Sequence, residues 1–180
     1  MYMVFWGTPA KDCWKIEDSC LKLKCIRQRL DDDLEQMKMD GILADDKYVA
    51  FVSRRQCAMD AVITAAVKFY PEGQESAGIA AVQAMNHQIH IERACEDGKQ
   101  VVRVVVITAD YIQPPYFPGF TSTTNREIIC SEAYDKSEII LQLDMQHEDF
   151  CIRYGESEEE LKELCRIDGA VINPEKVGCM

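Results

Sequence analysis

The stretch from residue 88 to residue 107 constrains this chain more than any other. Two runs, Gln88–Cys95 and Lys99–Ile107, flank Glu96-Asp97-Gly98. Asp-Gly between alternating runs is a strong β-hairpin signal, because both residues accept the positive φ of a tight two-residue turn. A second hairpin is expected further on, with Ser137–Met145 and Asp149–Tyr154 joined across Gln146-His147-Glu148. Between the two, Tyr111–Pro118 holds three prolines and reads as an irregular loop or edge, followed by a strand at Glu127–Cys130.

The first half reads differently. Residues 2–6 suggest a short strand, and Thr8-Pro9 offers an N-cap with proline at the first helical position. From Ile16 to Met39 apolar residues recur at three- and four-residue intervals (Ile16, Cys20, Leu23, Ile26, Leu30, Leu34, Met37), which predicts a long amphipathic helix stopped at Gly41. Tyr48–Val52 alternates as a strand. Ser53 and Gln56 then match a capping box, predicting a helix that ends at Pro71 and packs through Ala58, Ala61, Val62, Ala65, Ala66 and Phe69. A further helix is expected over Glu75–Met85, interrupted by Gly78. Ser157-x-x-Glu160 forms another capping box ahead of Leu161, Leu164 and Cys165. The expected fold class is α+β in one domain of 180 residues: a mainly helical part over 1–87, then a mostly antiparallel β part over 88–180 with a C-terminal helix.

Charge narrows the partners. With 20 basic against 31 acidic residues the net charge is -11, a field that repels phosphate backbones and anionic lipid heads. Nucleic-acid and membrane binding are therefore not expected, and no apolar run approaches the roughly 20 residues that span a bilayer. The short apolar opening lacks the basic start of a signal peptide, so a cytoplasmic location is expected. Nine scattered cysteines without a C-x-x-C pair suggest reduced, mostly buried thiols rather than a zinc site.

Gly119-Phe120-Thr121-Ser122-Thr123-Thr124, with Arg103 upstream and Glu156-x-Glu158 downstream, resembles the motif set of mono-ADP-ribosyltransferases over roughly Val101 to Leu161. The resemblance implies an NAD-consuming transferase, or a glycohydrolase if only free NAD is cleaved. Arg103 would then hold the cofactor with its bidentate fork. Ser122, with Thr123 and Thr124, would organise the site. Glu158, supported by Glu156, would stabilise the oxocarbenium-like state as nicotinamide leaves.

Each of these residues also has a simpler reading. Arg103 stands in Val-Val-Arg-Val-Val-Val, where a strand arginine pairs across the hairpin with Glu92 or a neighbour. The threonine-rich stretch suits an ordinary strand, and Ser157 followed by three glutamates suits a helix start. No metal site is expected from His87, His90 and His147. Two other functions stand beside the transferase: an acidic interaction or inhibitor protein meeting a basic partner, and a thiol-dependent enzyme with one activated cysteine.

Overall fold

A computed structural model gives the protein's structure and describes residues 3–7, 12–32, 48–111 and 122–172. The chain divides into two units, residues 1–57 and 58–180. The described residues contain no α-helix. Helical structure among them is limited to the 3-10 turns Glu158–Glu160 and Gly169–Ile172. No helix there is long and apolar enough to cross a membrane. The α+β expectation, with its helical first half, is therefore corrected: the described residues are built almost wholly of strands and their turns.

The first unit holds two small antiparallel pairs. Strands β1 (Val4–Gly7) and β4 (Tyr48–Ser53) pair with each other, and β2 (Trp14–Glu17) pairs with β3 (Cys20–Leu23). The helical spacing from Ile16 to Leu23 is broken by a turn at Asp18 and Ser19, whose φ values are 52° and 61°. That turn reverses the chain, so Ile16 faces Leu21 and Trp14 faces Leu23 across a hairpin. Ser53 caps nothing; its hydroxyl donates to the Val4 carbonyl at 3.3 Å as the last residue of β4. Leu34, Met37 and Gly41 lie outside the described residues.

The second unit is a two-layer sandwich. One sheet runs β6 (Ala77–Ala84), β7 (His87–Glu96), β8 (Lys99–Tyr111), β9 (Ser122–Ala133), each antiparallel to the next. The other runs β12 (Lys162–Asp168), β11 (Asp149–Gly155), β10 (Glu138–Gln146), β5 (Ala61–Lys68), again antiparallel throughout. Both expected hairpins are present. Asp97 and Gly98 sit at φ 50° and 77° between β7 and β8, and His147 at φ 56° between β10 and β11.

Period-two alternation builds the core. Ile89 and Ile91 of β7 and Val102, Val104 and Val106 of β8 face Ile139, Leu141, Leu143 and Met145 of β10 and Phe150, Ile152 and Tyr154 of β11. Burying each such side chain contributes roughly 1.5–3 kcal/mol.

Arg93 continues the inward row of β7 and is wholly buried. Its guanidinium donates to the carbonyls of Val101 (3.1 Å), Tyr134 (2.6 Å) and Lys136 (2.9 Å), and lies 4.7 Å from the centroid of the Tyr134 ring. It ties the β7–β8 hairpin to the β9–β10 turn. Nearby, Glu132 of β9 accepts from Tyr154 Oη (2.6 Å) and Lys162 Nζ (2.7 Å), a polar bridge between the two sheets. The Lys162 hydrogen bond, then the one from Tyr154, holds the Glu132 carboxyl below its usual range.

The expected helices at 53–70, 75–85 and 157–164 give way to β5, β6, and a 3-10 turn leading to β12 for identifiable reasons. Ala61–Lys68 pairs residue by residue with β10, from Ala61 opposite Met145 to Lys68 opposite Glu138. Its β-branched Val62, Ile63, Thr64 and Val67 suit that pleated surface. In β6, Gly78 lies opposite Glu92, and a Cβ there would collide with the Ile91 carbonyl oxygen. Glycine thus permits the close approach of β6 to β7 rather than ending a helix. Ser157 is extended and makes no side-chain cap, and one 3-10 turn leads directly into β12.

All eight described cysteines are free thiols, but only Cys13 and Cys151 are buried. The expectation of mostly buried cysteines is corrected; Cys179 lies outside the described residues.

Candidate functional site

Among the described residues, two outward strand faces carry polar clusters, the first of them alongside the buried Val101, Val105 and Ile107. The first is the outward side of the β7–β8–β9 strands. Alternation that sends Ile89 and Ile91 inward sends Gln88, His90 and Glu92 outward, and Arg103, between Val102 and Val104, faces the same way. Glu92 is only 5% exposed and accepts four hydrogen bonds: from Arg103 Nε (2.9 Å) and Nη2 (2.7 Å), Arg126 Nη2 (3.2 Å) and Ser76 Oγ (2.8 Å). Arg103 Nη1 also donates to Glu96 Oε1 at 3.0 Å, and Ser131 Oγ to Glu96 Oε2 at 2.9 Å. Burial pulls the Arg103 guanidinium down, but the hydrogen bonds to Glu96 and Glu92 outweigh it and hold the group above its ordinary value. The His90 ring lies 2.6 Å from Gln88 Oε1. The cross-strand pairing of Arg103 with Glu92 is thus what this arginine does, and its fork is taken up by two carboxylates.

The residues singled out by the transferase resemblance do not meet. Ser122 pairs with Tyr111, Thr123 with Asp110 and Thr124 with Ala109, at the far end of the β8–β9 ladder from Arg103, which pairs with Ser131. Positions 103 and 111 of β8 are eight residue steps apart, about 26 Å at the rise of a strand. Glu156 follows β11 in the other sheet and ion-pairs with Lys136 of the β9–β10 turn, beyond the opposite end of β9 from Ser122. Glu158 is exposed in the 3-10 turn. Gly119, Phe120 and Thr121 lie outside the described residues. Among the described residues no group of three or more His, Cys, Asp or Glu side chains is gathered as a metal ion would require.

The second face is the outward side of the β10–β11 hairpin. Here Gln142, Asp144 and Gln146 of β10 stand opposite Arg153, Cys151 and Asp149 of β11. Arg153 Nη1 donates to Asp144 Oδ2 (3.0 Å) and Gln142 Oε1 (2.9 Å). Arg166 of β12 donates to both oxygens of Glu163 (3.0 and 2.8 Å), which also accepts from Cys151 Sγ at 3.3 Å. Burial, then the Glu163 contact, pushes the Cys151 thiol up, so it is no activated nucleophile. Asp144 is 7% exposed, and its Oδ1 has no hydrogen-bond partner.

Two clefts adjoin at Asp144, Gln146 and His147. One, of about 430 Å³, extends along Asp60, Ala61 and Val62; the other, of about 340 Å³, along Asp149, Cys151, Arg153 and Arg166. Of these residues the sequence singles out only His147 as a site candidate, weighed there as a metal ligand and set aside. The available signal was the polar half of Gln142-Leu143-Asp144-Met145-Gln146, which places three polar groups on one side of a recognised hairpin.

The described residues thus form an antiparallel β architecture in which the candidate residues are scattered. Residues 1–178 match the GH43 C2 family model, described as the β-xylosidase C-terminal concanavalin A-like domain. The chain belongs to this family. That membership replaces the mono-ADP-ribosyltransferase resemblance, and with it the NAD-consuming activity and the acidic interaction or inhibitor protein set beside it. Among solved structures, the GH43 BlXynB protein from Bacillus licheniformis is 14% identical with a TM-score of 0.70; the match covers 94% of this chain and 29% of that one. GH43B of the Bacteroides ovatus xyloglucan PUL is 17% identical with a TM-score of 0.69, over 98% of this chain and 30% of that one. The fold is shared with both, and the chain spans less than a third of the length of either. No curated protein matches.

Proposed function

We propose that this chain is an accessory β-sandwich module of a β-xylosidase-type glycoside hydrolase, supporting a separate catalytic part rather than breaking glycosidic bonds itself. One observation carries the reading: nearly the whole chain, residues 1–178, matches a domain described by its place at the C-terminal end of β-xylosidases. The size relation agrees, since solved GH43 proteins with this fold carry more than twice as much further chain. The site geometry agrees as well. Glycoside hydrolysis needs an acid and a second carboxylate flanking one bond. Among the described residues the most buried carboxylates, Glu92 and Asp144, lie in different sheets, and Glu92 accepts from two arginines and a serine.

The test is a chimera in which this chain replaces the matching part of BlXynB. The reading predicts that removing the matching part lowers thermal stability or kcat/KM on an aryl β-xyloside, and that this chain restores a measurable share. A chimera no better than the truncated protein contradicts it.

A further inference from the structure

We propose that the outer face formed by β5, β10 and β11 carries a carbohydrate-binding site, in which Asp144 and Arg153 engage neighbouring hydroxyls of a sugar. The ligand class rests on the module reading above; the place rests on this chain's own geometry. Asp144 is more than nine-tenths buried, yet only one of its carboxylate oxygens is employed. Oδ2 accepts from Arg153 Nη1 at 3.0 Å and from Gln146 Nε2 at 3.4 Å, while Oδ1 has no partner. A buried acceptor left unpaired costs roughly 1–3 kcal/mol, more when charged, so the fold maintains at some expense an oxygen that a ligand donor would satisfy.

Its position supplies the second argument. Asp144 lies where the two clefts adjoin, so a ligand along either one passes it. Oδ1 itself is shielded from solvent, and its engagement requires a neighbouring side chain to shift. Gln146 is exposed and bonds Oδ2, not Oδ1, at 3.4 Å, the longest contact on this carboxylate.

The chemistry of the walls selects the ligand. Carboxylates (Asp144, Asp149) alternate with guanidinium groups (Arg153, Arg166) across the second cleft. A hydroxyl both donates and accepts, so a vicinal pair can donate to Asp144 and accept from Arg153 at once. A phosphate would meet the two carboxylates, and a bare cation the two arginines. Val62, 59% exposed on the other cleft, gives an apolar wall for the C–H face of a ring.

The experiment titrates the full chain with xylohexaose, followed by calorimetry and by amide NMR shifts, with inorganic phosphate alongside. The expected result is saturable xylohexaose binding, with shifts confined to residues 60–62, 142–153 and 166. Asp144→Asn and Arg153→Lys, each with a folded NMR spectrum, should weaken that binding at least about tenfold, the value of one charge-assisted hydrogen bond. Wild-type protein that binds no xylohexaose, binds phosphate instead, or shows shifts elsewhere overturns the proposal. So does either folded variant binding as the wild type does. If the BlXynB chimera regains function while xylohexaose fails to bind, the sugar site alone falls. If xylohexaose binds here and the chimera fails, the site stands and the module reading falls.

Discussion

At the scale of single residues, the most consequential side chain outside the core is Glu92. It is a buried carboxylate whose charge is balanced by Arg103 and Arg126 and whose remaining lone pairs are met by Ser76. Replacing Glu92 removes the carboxylate shared by both guanidinium groups in a poorly hydrated place, although Arg103 keeps its bond to Glu96. Glu92→Ala should therefore lower the unfolding free energy by about 3–5 kcal/mol, measured by urea denaturation. A loss under about 1 kcal/mol, the range of a surface ion pair, would mean that the cluster is hydrated and contributes little. Residue-level reading of the sequence reached this pair, because Arg103 in a run of valines on one strand of a hairpin points to an acidic partner across the turn. It could not reach Asp144 in the same way, since nothing local marks a carboxylate whose second oxygen is unpartnered.

At the scale of elements, the glycine in β6 shows how a helix-like sequence becomes a strand. Ala77-Gly78-Ile79-Ala80-Ala81 is rich in alanine, which carries strong helical preference and little strand preference. The segment becomes a strand because it is paired along β7, and Gly78 is where the two backbones come too close for any Cβ. Gly78→Ala should thus be destabilising by roughly 1–3 kcal/mol, the cost of overpacking, although the same change in an exposed helix would stabilise. Hydrogen exchange should report it most strongly in the β6–β7 amides. Unchanged or increased stability would refute the close approach.

The same contest explains which elements were legible. The β7–β8 and β10–β11 hairpins announce themselves through short turns between alternating runs, a local signal that the tertiary fold only confirms. By contrast Ala61–Lys68 and Lys162–Asp168 receive their identity from partners far away in the chain, β10 and β11. Helical spacing of apolar residues arose there by coincidence, and in Ser157–Glu160 the acidic run after a serine imitates a cap that the extended Ser157 does not make.

At the scale of the molecule, the motif order that suggested an ADP-ribosyltransferase is dispersed by the topology. Arg103 and Ser122 lie towards opposite ends of one ladder, and Glu156 follows β11 of the second sheet. What organises residues 58–180 instead is a pair of four-stranded antiparallel sheets, the setting of the accessory module proposed above. The central claim is that this module does not itself cleave glycosides. The most direct measurement is hydrolysis of an aryl β-xyloside by the purified chain alone, across a pH series and at high protein concentration. The account predicts a rate no greater than that of buffer. Turnover that saturates with substrate and scales with the amount of chain would contradict it.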